Sequence, residues 1–271
     1  MVRSGSVRSE SHACAVLSST EHGWEVLADF VAEGIERQEQ VFLAGLRADQ
    51  VPDLMRRLGD EDGVDPGPAL TDGQLVLMDE AVARGFIGLP SKDLTAQLTG
   101  QVERAVRDGY RGLRLSGVYP GVGVGPHELA LDGLVQAFPL TVLCPYFRVD
   151  LTFPEVEQVR ALHGREVIDT AVFDDGSLRI THPRAGWLRL AGRWTAGNHA
   201  AVLTVVTDAA AAGDRDLDLA SLRCIDPAGI HALLTGIRGG LRLRRPNQMV
   251  RRLAALLANQ QWPGTDNHID D

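Results

Sequence analysis

Apolar and polar positions along this chain switch repeatedly between two periods. Residues 12–19, HACAVLSS, form a short apolar run of strand length, whereas residues 24–37 set Val26, Leu27, Phe30, Val31 and Ile35 along one helical face. The alternation continues with strands at 40–46, 74–78, 112–116, 140–146 and 166–168, and helices at 49–58, 92–108, 126–138 and 153–163. Repeated strand and helix of this kind predict a parallel α/β sheet of about five strands with helices on both faces.

The pattern changes after Asp174-Asp175-Gly176, which reads as a boundary turn. A strand at 187–194 is followed by RDLDLASLRCIDPAGIHALLTG, residues 215–236. There Leu217 and Leu219 alternate with Asp216 and Asp218, as in a strand with one wet face. Asp226 suits a helix N-cap, Pro227 the first helical position, and Gly229 a close approach of backbones. A strand at 241–243 and a helix at 248–257 complete this part. The expected organisation is a disordered start at 1–11, an α/β domain at 12–170, a second α/β domain at 175–260 and a tail at 261–271.

Composition narrows the class. The 271 residues suffice for two domains, and 44% hydrophobic with only 5% aromatic residues implies aliphatic cores. A net charge of −9 argues against a nucleic-acid partner held through phosphates. Lys92 is the only lysine among 27 basic residues, a bias of the kind GC-rich coding gives in actinobacteria. Cys14, Cys144 and Cys224 are odd in number and far apart, which fits reduced thiols and a cytoplasmic protein. No apolar run has the length to span a bilayer, so no membrane partner is expected.

The order strand, Asp-x-x-Gly, apolar helix around Asp226 and Gly229 resembles a STAS domain of the anti-sigma factor antagonist family, over about 175–260. The resemblance implies a partner, an anti-sigma factor of the kinase-fold type, docking on Asp226, Pro227, Ala228, Gly229 and Ile230 with His231 at the rim. In that family a Ser or Thr between the Asp and the Gly accepts phosphate at the helix N-terminus. Here Pro227 and Ala228 occupy those positions, so no phosphoacceptor is expected. The earlier part, from His12-x-Cys14 through the glycine-rich stretch 112–125 to Glu128, resembles the MEDS sensory domain of methanogen and dichloromethane-repressor regulators, over about 10–170. That resemblance implies a RecA- or KaiC-like α/β fold turned sensor, a type found joined to STAS domains in actinobacteria.

Candidate chemistry is sparse. Residues 18–23, SSTEHG, stand where a RecA-like sheet would carry its phosphate loop, yet lack the glycine-rich turn and the Gly-Lys-Ser/Thr that hold phosphate and magnesium. Gly117, Gly121, Gly123 and Gly125 follow a strand, but Pro126 stands where the dinucleotide fingerprint needs its last glycine. A loop at strand ends remains suited to lining a ligand pocket through Gly121 and Gly123. His12 and Cys14 share one face of a strand, with Cys144 on another. Zinc or copper needs three or four such ligands and only this pair is visible, so buried cysteine as a small hydrophobe is the better account, and neither metal nor cofactor is expected. That His12, Cys14, Cys144 and Tyr146 line a sensory pocket is implied by the resemblance alone. Arg242, Arg244, Arg245, Arg251 and Arg252 make a basic patch best read as solvated.

The sequence is therefore read as a non-enzymatic signalling regulator that binds an anti-sigma factor under control of a sensory domain. The alternative is a small-molecule sensor or enzyme with its pocket in the first domain, the second serving for homodimerisation.

Overall fold

Strand and helix alternate from residue 12 in the computed structural model, which describes residues 7, 10–60, 64–117, 127–183 and 185–252. Two compact units result, Met1–Asp169 and Thr170–Asp271. The first contains β1 (His12–Leu17), α1 (Thr20–Glu36), β2 (Gln40–Ala44), α2 (Val51–Asp60), α3 (Pro66–Thr71), β3 (Leu75–Met78), α4 (Glu80–Ile87), α5 (Ser91–Arg107), β4 (Leu113–Gly117), α6 (Glu128–Ala137), β5 (Leu140–Phe147), α7 (Phe153–Leu162) and β6 (Arg165–Val167). All six strands are parallel, in the order β3-β2-β4-β5-β1-β6. The α/β class expected from the alternation is the class observed, and each of its six strands falls on a segment read as a strand.

Both faces of this sheet are covered, which is why its strands are apolar almost throughout. Val41 and Leu43 pack with Phe30, Val31 and Leu54 on the side of α1 and α2, while Phe42 and Leu113 join Leu98, Leu131 and Val142 under α5 and α6. Ser19 caps α1 by accepting from His22 N at 3.1 Å, so that helix begins at Thr20 and not at residue 24 as its apolar stripe suggests. The short helices α3 and α4 are capped by Asp65 and Asp79; neither is long enough to show a period, and the sequence reading missed both.

One charge lies inside the first core. Arg114 of β4 is fully buried, ion-paired to Glu39 and lying 3.3 Å from Glu33; it donates to the carbonyls of Phe30 (3.2 Å) and Val7 (2.8 Å). Val7, expected in a disordered tail, is thereby packed into the core. Gly34 permits this packing, since a Cβ there would lie 2.5 Å from Val41 Cγ2 and 2.8 Å from Arg114 Cδ.

The second unit contains β7 (Phe173–Asp174), β8 (Leu178–Thr181), β9 (Trp187–Trp194), α8 (His199–Ala212), β10 (Asp216–Asp218), β11 (Leu222–Ile225), α9 (Pro227–Arg238) and β12 (Arg242–Arg244). Its order is β12-β10-β9-β8-β7, with β11 also on β9; the pairs β7/β8 and β8/β9 are antiparallel and the others parallel. The Asp175–Gly176 turn joins β7 to β8 within this unit rather than marking its boundary. At Gly192 of β9, φ is +105° and a Cβ would lie 2.2 Å from Ser177 O, so only glycine fits where β9 passes that turn.

The wet face expected on β10 does not exist. Asp216 and Asp218 are buried; Asp216 accepts from Arg242 and Arg244, each at 2.8 Å, and Asp218 pairs with Arg189 at 3.1 Å and with Arg245. Of the basic patch, Arg242, Arg244 and Arg245 thus pair with buried aspartates, while Arg242, Arg251 and Arg252 remain exposed. Residues 248–252 are helical as expected. The rest of that helix, the tail, most of residues 1–9 and the loop with Gly121 and Gly123 lie outside the described residues. Among the described residues no helix is long and apolar enough to cross a membrane.

Removing Arg114 takes a buried cation away from Glu39 and from Glu33, the latter keeping Arg37 at 2.8 Å. Arg114→Met is expected to lower the stability of the first unit by about 3–5 kcal/mol. Urea-dependent hydrogen exchange of the β2 and β4 amides reads that unit alone, and unchanged protection would contradict the expectation.

Candidate functional site

Because β2, β3, β4 and β5 run parallel, their C-terminal ends open on the same side of the sheet, and a cavity of about 660 Å³ lies there. Ala44, Met78, Gly117 and Tyr146 line it from the strand ends. Phe42, Leu115 and Val142 line it from the sheet face, Leu94 and Leu98 from α5, and Leu131 from α6. The lining is mainly apolar, with polar groups supplied by Ser91, Gln101, Ser116, His127, Glu128 and Tyr146.

Glu128, Cys144 and Tyr146 belong at once to this wall and to a cluster behind it. Glu128 is the first residue of α6; Tyr146 Oη donates to its Oε1 at 2.5 Å. Its Oε2 lies 3.0 Å from His12 Nε2 and 3.2 Å from His163 Nε2. The Cys144 thiol sits 3.7 Å from the same oxygen and 3.4 Å from His12 Nε2. On their far sides, His12 Nδ1 meets Asp132 Oδ1 at 2.8 Å and His163 Nδ1 meets the Val159 carbonyl at 2.7 Å. The two imidazoles are tilted by 52° to each other, 4.3 Å between centroids.

Local structure explains the convergence. Cys144 and Tyr146 are two apart on β5 and so share a face, and β1 runs beside β5 with Cys14 opposite Cys144. Glu128 and Asp132 are one turn apart on α6 and reach the same histidine from two levels. His163 follows the last residue of α7.

The charges hold one another. Burial pushes the Glu128 carboxyl up, but His12, the nearby His163 imidazole and the Tyr146 hydroxyl outweigh it and keep the group well below the usual carboxylate range. Burial lowers His12, and contacts with Glu128 and Asp132 reverse this, leaving it above its ordinary 6.5. Burial and the Glu128 charge hold the Cys144 thiol far up, and burial with Cys144 and Glu128 does the same to Tyr146. The resting cluster is an anionic carboxylate among a protonated thiol, a neutral phenol and imidazoles.

Of the residues read as a pocket, Glu128, Cys144 and Tyr146 line the cavity. His12 stands behind them, and Cys14 is buried away from the cavity, its Sγ 3.6 Å from the Arg165 carbonyl. Gly121 and Gly123 lie outside the described residues. His163 and Asp132 were missed. Asp132 left a trace, because Glu128 and Asp132 fall on the stripe of α6 that Leu131 and Val135 make buried; nothing in the spacing of His163 sets it apart. The turn at 18–23, where a phosphate loop would stand, instead holds Glu21 paired to buried Arg57, and His22 against Ser18 and Asp169.

In the second unit Asp226 caps α9 by accepting from Gly229 N at 2.8 Å. Pro227, Ala228 and His231 are exposed, whereas Gly229 is buried and Ile230 is half-buried against the core. A Cβ on Gly229 would lie 2.8 Å from Ile225 Cγ1. Gly229 and Ile230 thus hold the helix down, and of the six residues read as a docking surface only Pro227, Ala228 and His231 are exposed.

A family model described as MEthanogen/methylotroph, DcmR Sensory domain (MEDS) matches residues 11–164. Among curated proteins no match is found. Similar solved structures include the flagellar accessory protein FlaH from Methanocaldococcus jannaschii (10% identity, TM-score 0.43, 69% of this chain and 80% of that one). Others are an uncharacterized protein from Pyrococcus horikoshii in complex with an unknown peptide (14%, 0.43, 65% and 84%) and a KaiC-like protein from Pyrococcus horikoshii OT3 (14%, 0.40, 70% and 88%).

Burial, with Glu166 nearby, pushes the Cys14 thiol up to about 12. Alkylation of Cys14 at pH 8 is expected to be at least about a hundredfold slower in the native chain than in urea, because the thiolate is the nucleophile. Peptide mass spectrometry follows it; comparable rates in the two states would contradict the placement.

Proposed function

This chain belongs to the MEDS family of sensory domains through residues 11–164, and on that premise we propose that its first unit senses a small organic molecule held in the cavity at the strand ends. The observation that carries this reading is the cavity itself. Its volume of about 660 Å³ falls among ordinary ligand sites, and it joins a mainly apolar lining to one charged corner. The lining suits an apolar body, and the Glu128 carboxylate suits one hydrogen-bond donor on it, as in a short-chain alcohol. A ligand that draws on Glu128 competes with His12, His163 and Tyr146, so occupancy acts on the start of α6, the end of α7 and β1 together.

The second unit would carry the output, docking a kinase-fold anti-sigma factor at the start of α9. What supports this is the exposure of Pro227, Ala228 and His231 beside the Asp226 cap. With Ala228 unable to accept phosphate, control falls to occupancy of the first unit. The protein acts by binding and not by catalysis.

Calorimetric titration of the whole chain with a series of short- and medium-chain alcohols tests the sensor. Leu115→Phe, which sets a larger side chain in the cavity wall, should weaken the best binder at least about tenfold, the worth of a few lost apolar contacts. No heat with any member, or equal affinity in the variant, would sink the reading. For the output, Ala228→Arg should weaken binding to the cognate anti-sigma kinase domain at least about tenfold, as at a central interface position. Unchanged affinity there removes α9 as the docking surface.

A further inference from the structure

We propose that His12, Glu128, Cys144 and His163 are the four ligands of a site for a tetrahedral divalent transition ion of the zinc class. The inference does not depend on the cavity holding an organic molecule.

Geometry is the first support. With bonds of about 2.0–2.1 Å to nitrogen and oxygen and about 2.3 Å to sulfur, atoms at the corners of a tetrahedron lie roughly 3.3–3.6 Å apart. Here His12 Nε2 and His163 Nε2 are 3.0 and 3.2 Å from Glu128 Oε2, and Cys144 Sγ is 3.4 Å from His12 Nε2 and 3.7 Å from Glu128 Oε2. One ligand atom from each of the four lies within 4.8 Å of all the others. Four of the six separations are thus within a few tenths of an ångström of tetrahedral values, and the other two, from His163 Nε2 to His12 and to Cys144, are bounded by 4.8 Å.

Orientation is the second. Each imidazole is tied at Nδ1 to an outside acceptor, His12 to the Asp132 carboxylate and His163 to the Val159 carbonyl. An Nδ1–H held in this way leaves the Nε2 lone pair free and aims it, which is how metal-ligating histidines are prepared. Tyr146 Oη likewise holds Glu128 by Oε1 and turns Oε2 inward. Three of the four ligands thus have a partner that fixes the atom they present.

A vacancy in hydrogen bonding is the third. His163 is only 6% exposed, and its Nε2 makes no hydrogen bond of acceptable geometry although Glu128 Oε2 is close. A buried polar atom left so normally has an unfilled role. Two imidazole nitrogens and a thiol crowd one carboxylate oxygen, and a single proton satisfies only one of those contacts at a time.

Charge and ligand softness choose the ion. Two neutral imidazoles, a carboxylate and a thiolate bring two negative charges, which a dication cancels within the apolar surroundings. Nitrogen and sulfur donors select zinc and its neighbours over magnesium or calcium. Binding forms four metal–ligand bonds, and the proton of the Cys144 thiol, with any proton held between His12 and Glu128, passes to solvent. The ion would tie β1, α6, β5 and the end of α7 at one point in the cavity wall.

The test uses the whole chain, stripped with a chelator and dialysed against zinc or cobalt(II). One zinc per chain is expected by elemental mass spectrometry. Cobalt should give the strong visible bands of tetrahedral coordination and a thiolate charge-transfer band in the near ultraviolet. Cys144→Ser should abolish the charge-transfer band, whereas Cys224→Ser should leave it. Asp132→Asn keeps all four ligands and should weaken metal affinity by about 10–100-fold through the loss of a firm anchor on His12. Circular dichroism checks each variant for folding, and the Asp132 variant decides the matter if Cys144→Ser does not fold. Substoichiometric metal in the wild-type chain, or spectra and affinities equal in all variants, overturns the proposal. A chain that binds metal but no alcohol keeps this inference and loses the sensor reading, and the reverse result does the opposite.

Discussion

A carboxylate inside an aliphatic interior must be enclosed by donors, and for Glu128 that demand fixes where four elements can lie. An isolated buried charge would cost several kcal/mol or would be neutralised. Instead β1 brings His12, β5 brings Tyr146 and Cys144, and the end of α7 brings His163 to it. The apolar clusters on either side give the packing energy, but they tolerate sliding. The carboxylate tolerates little, because its partners come from three elements besides its own. The same place then becomes the charged corner of an otherwise apolar cavity, so the constraint that orders the fold also shapes the site.

The second unit meets a similar demand by pairing across strands. On β10, Asp216 and Asp218 lie in register with Arg242 and Arg244 of β12, and Asp218 with Arg189 of β9. Such buried pairs add little net stability over an apolar sheet, and their value lies in specifying alignment. A slip of one residue would set each aspartate on the wrong face. Leu217, between them, packs into the opposite core.

Much of the fold was legible because period and length agree. The strands of the first unit and the helices α1, α5, α6 and α7 announce themselves by apolar spacing, and α9 by its Asp226-Pro227 start. The short α3 and α4 and the alanine-rich α8, whose outer face carries little polarity, gave no such contrast. Asp216 and Asp218 were misread because alternation reports a polar face without saying whether water or arginine covers it. The site was legible in part: the strand residues His12, Cys144 and Tyr146 and the helix start Glu128 were marked, whereas His163 closes an unremarkable helix. What assembled them was topology, which places β1 beside β5, and no local pattern carries that.

The position of β1 has a consequence for how the protein is made. The first strand of this unit to be synthesised ends up between β5 and β6, the last two strands of the unit. Until they emerge its edges have no native neighbours, and non-local pairing of this kind is slow. The nascent first unit therefore passes through a stage in which much of its sheet has been translated but the places on either side of β1 are open. His12 waits through that stage for Glu128, Cys144 and His163, so the assembled cluster marks a chain whose translation through the first unit is complete.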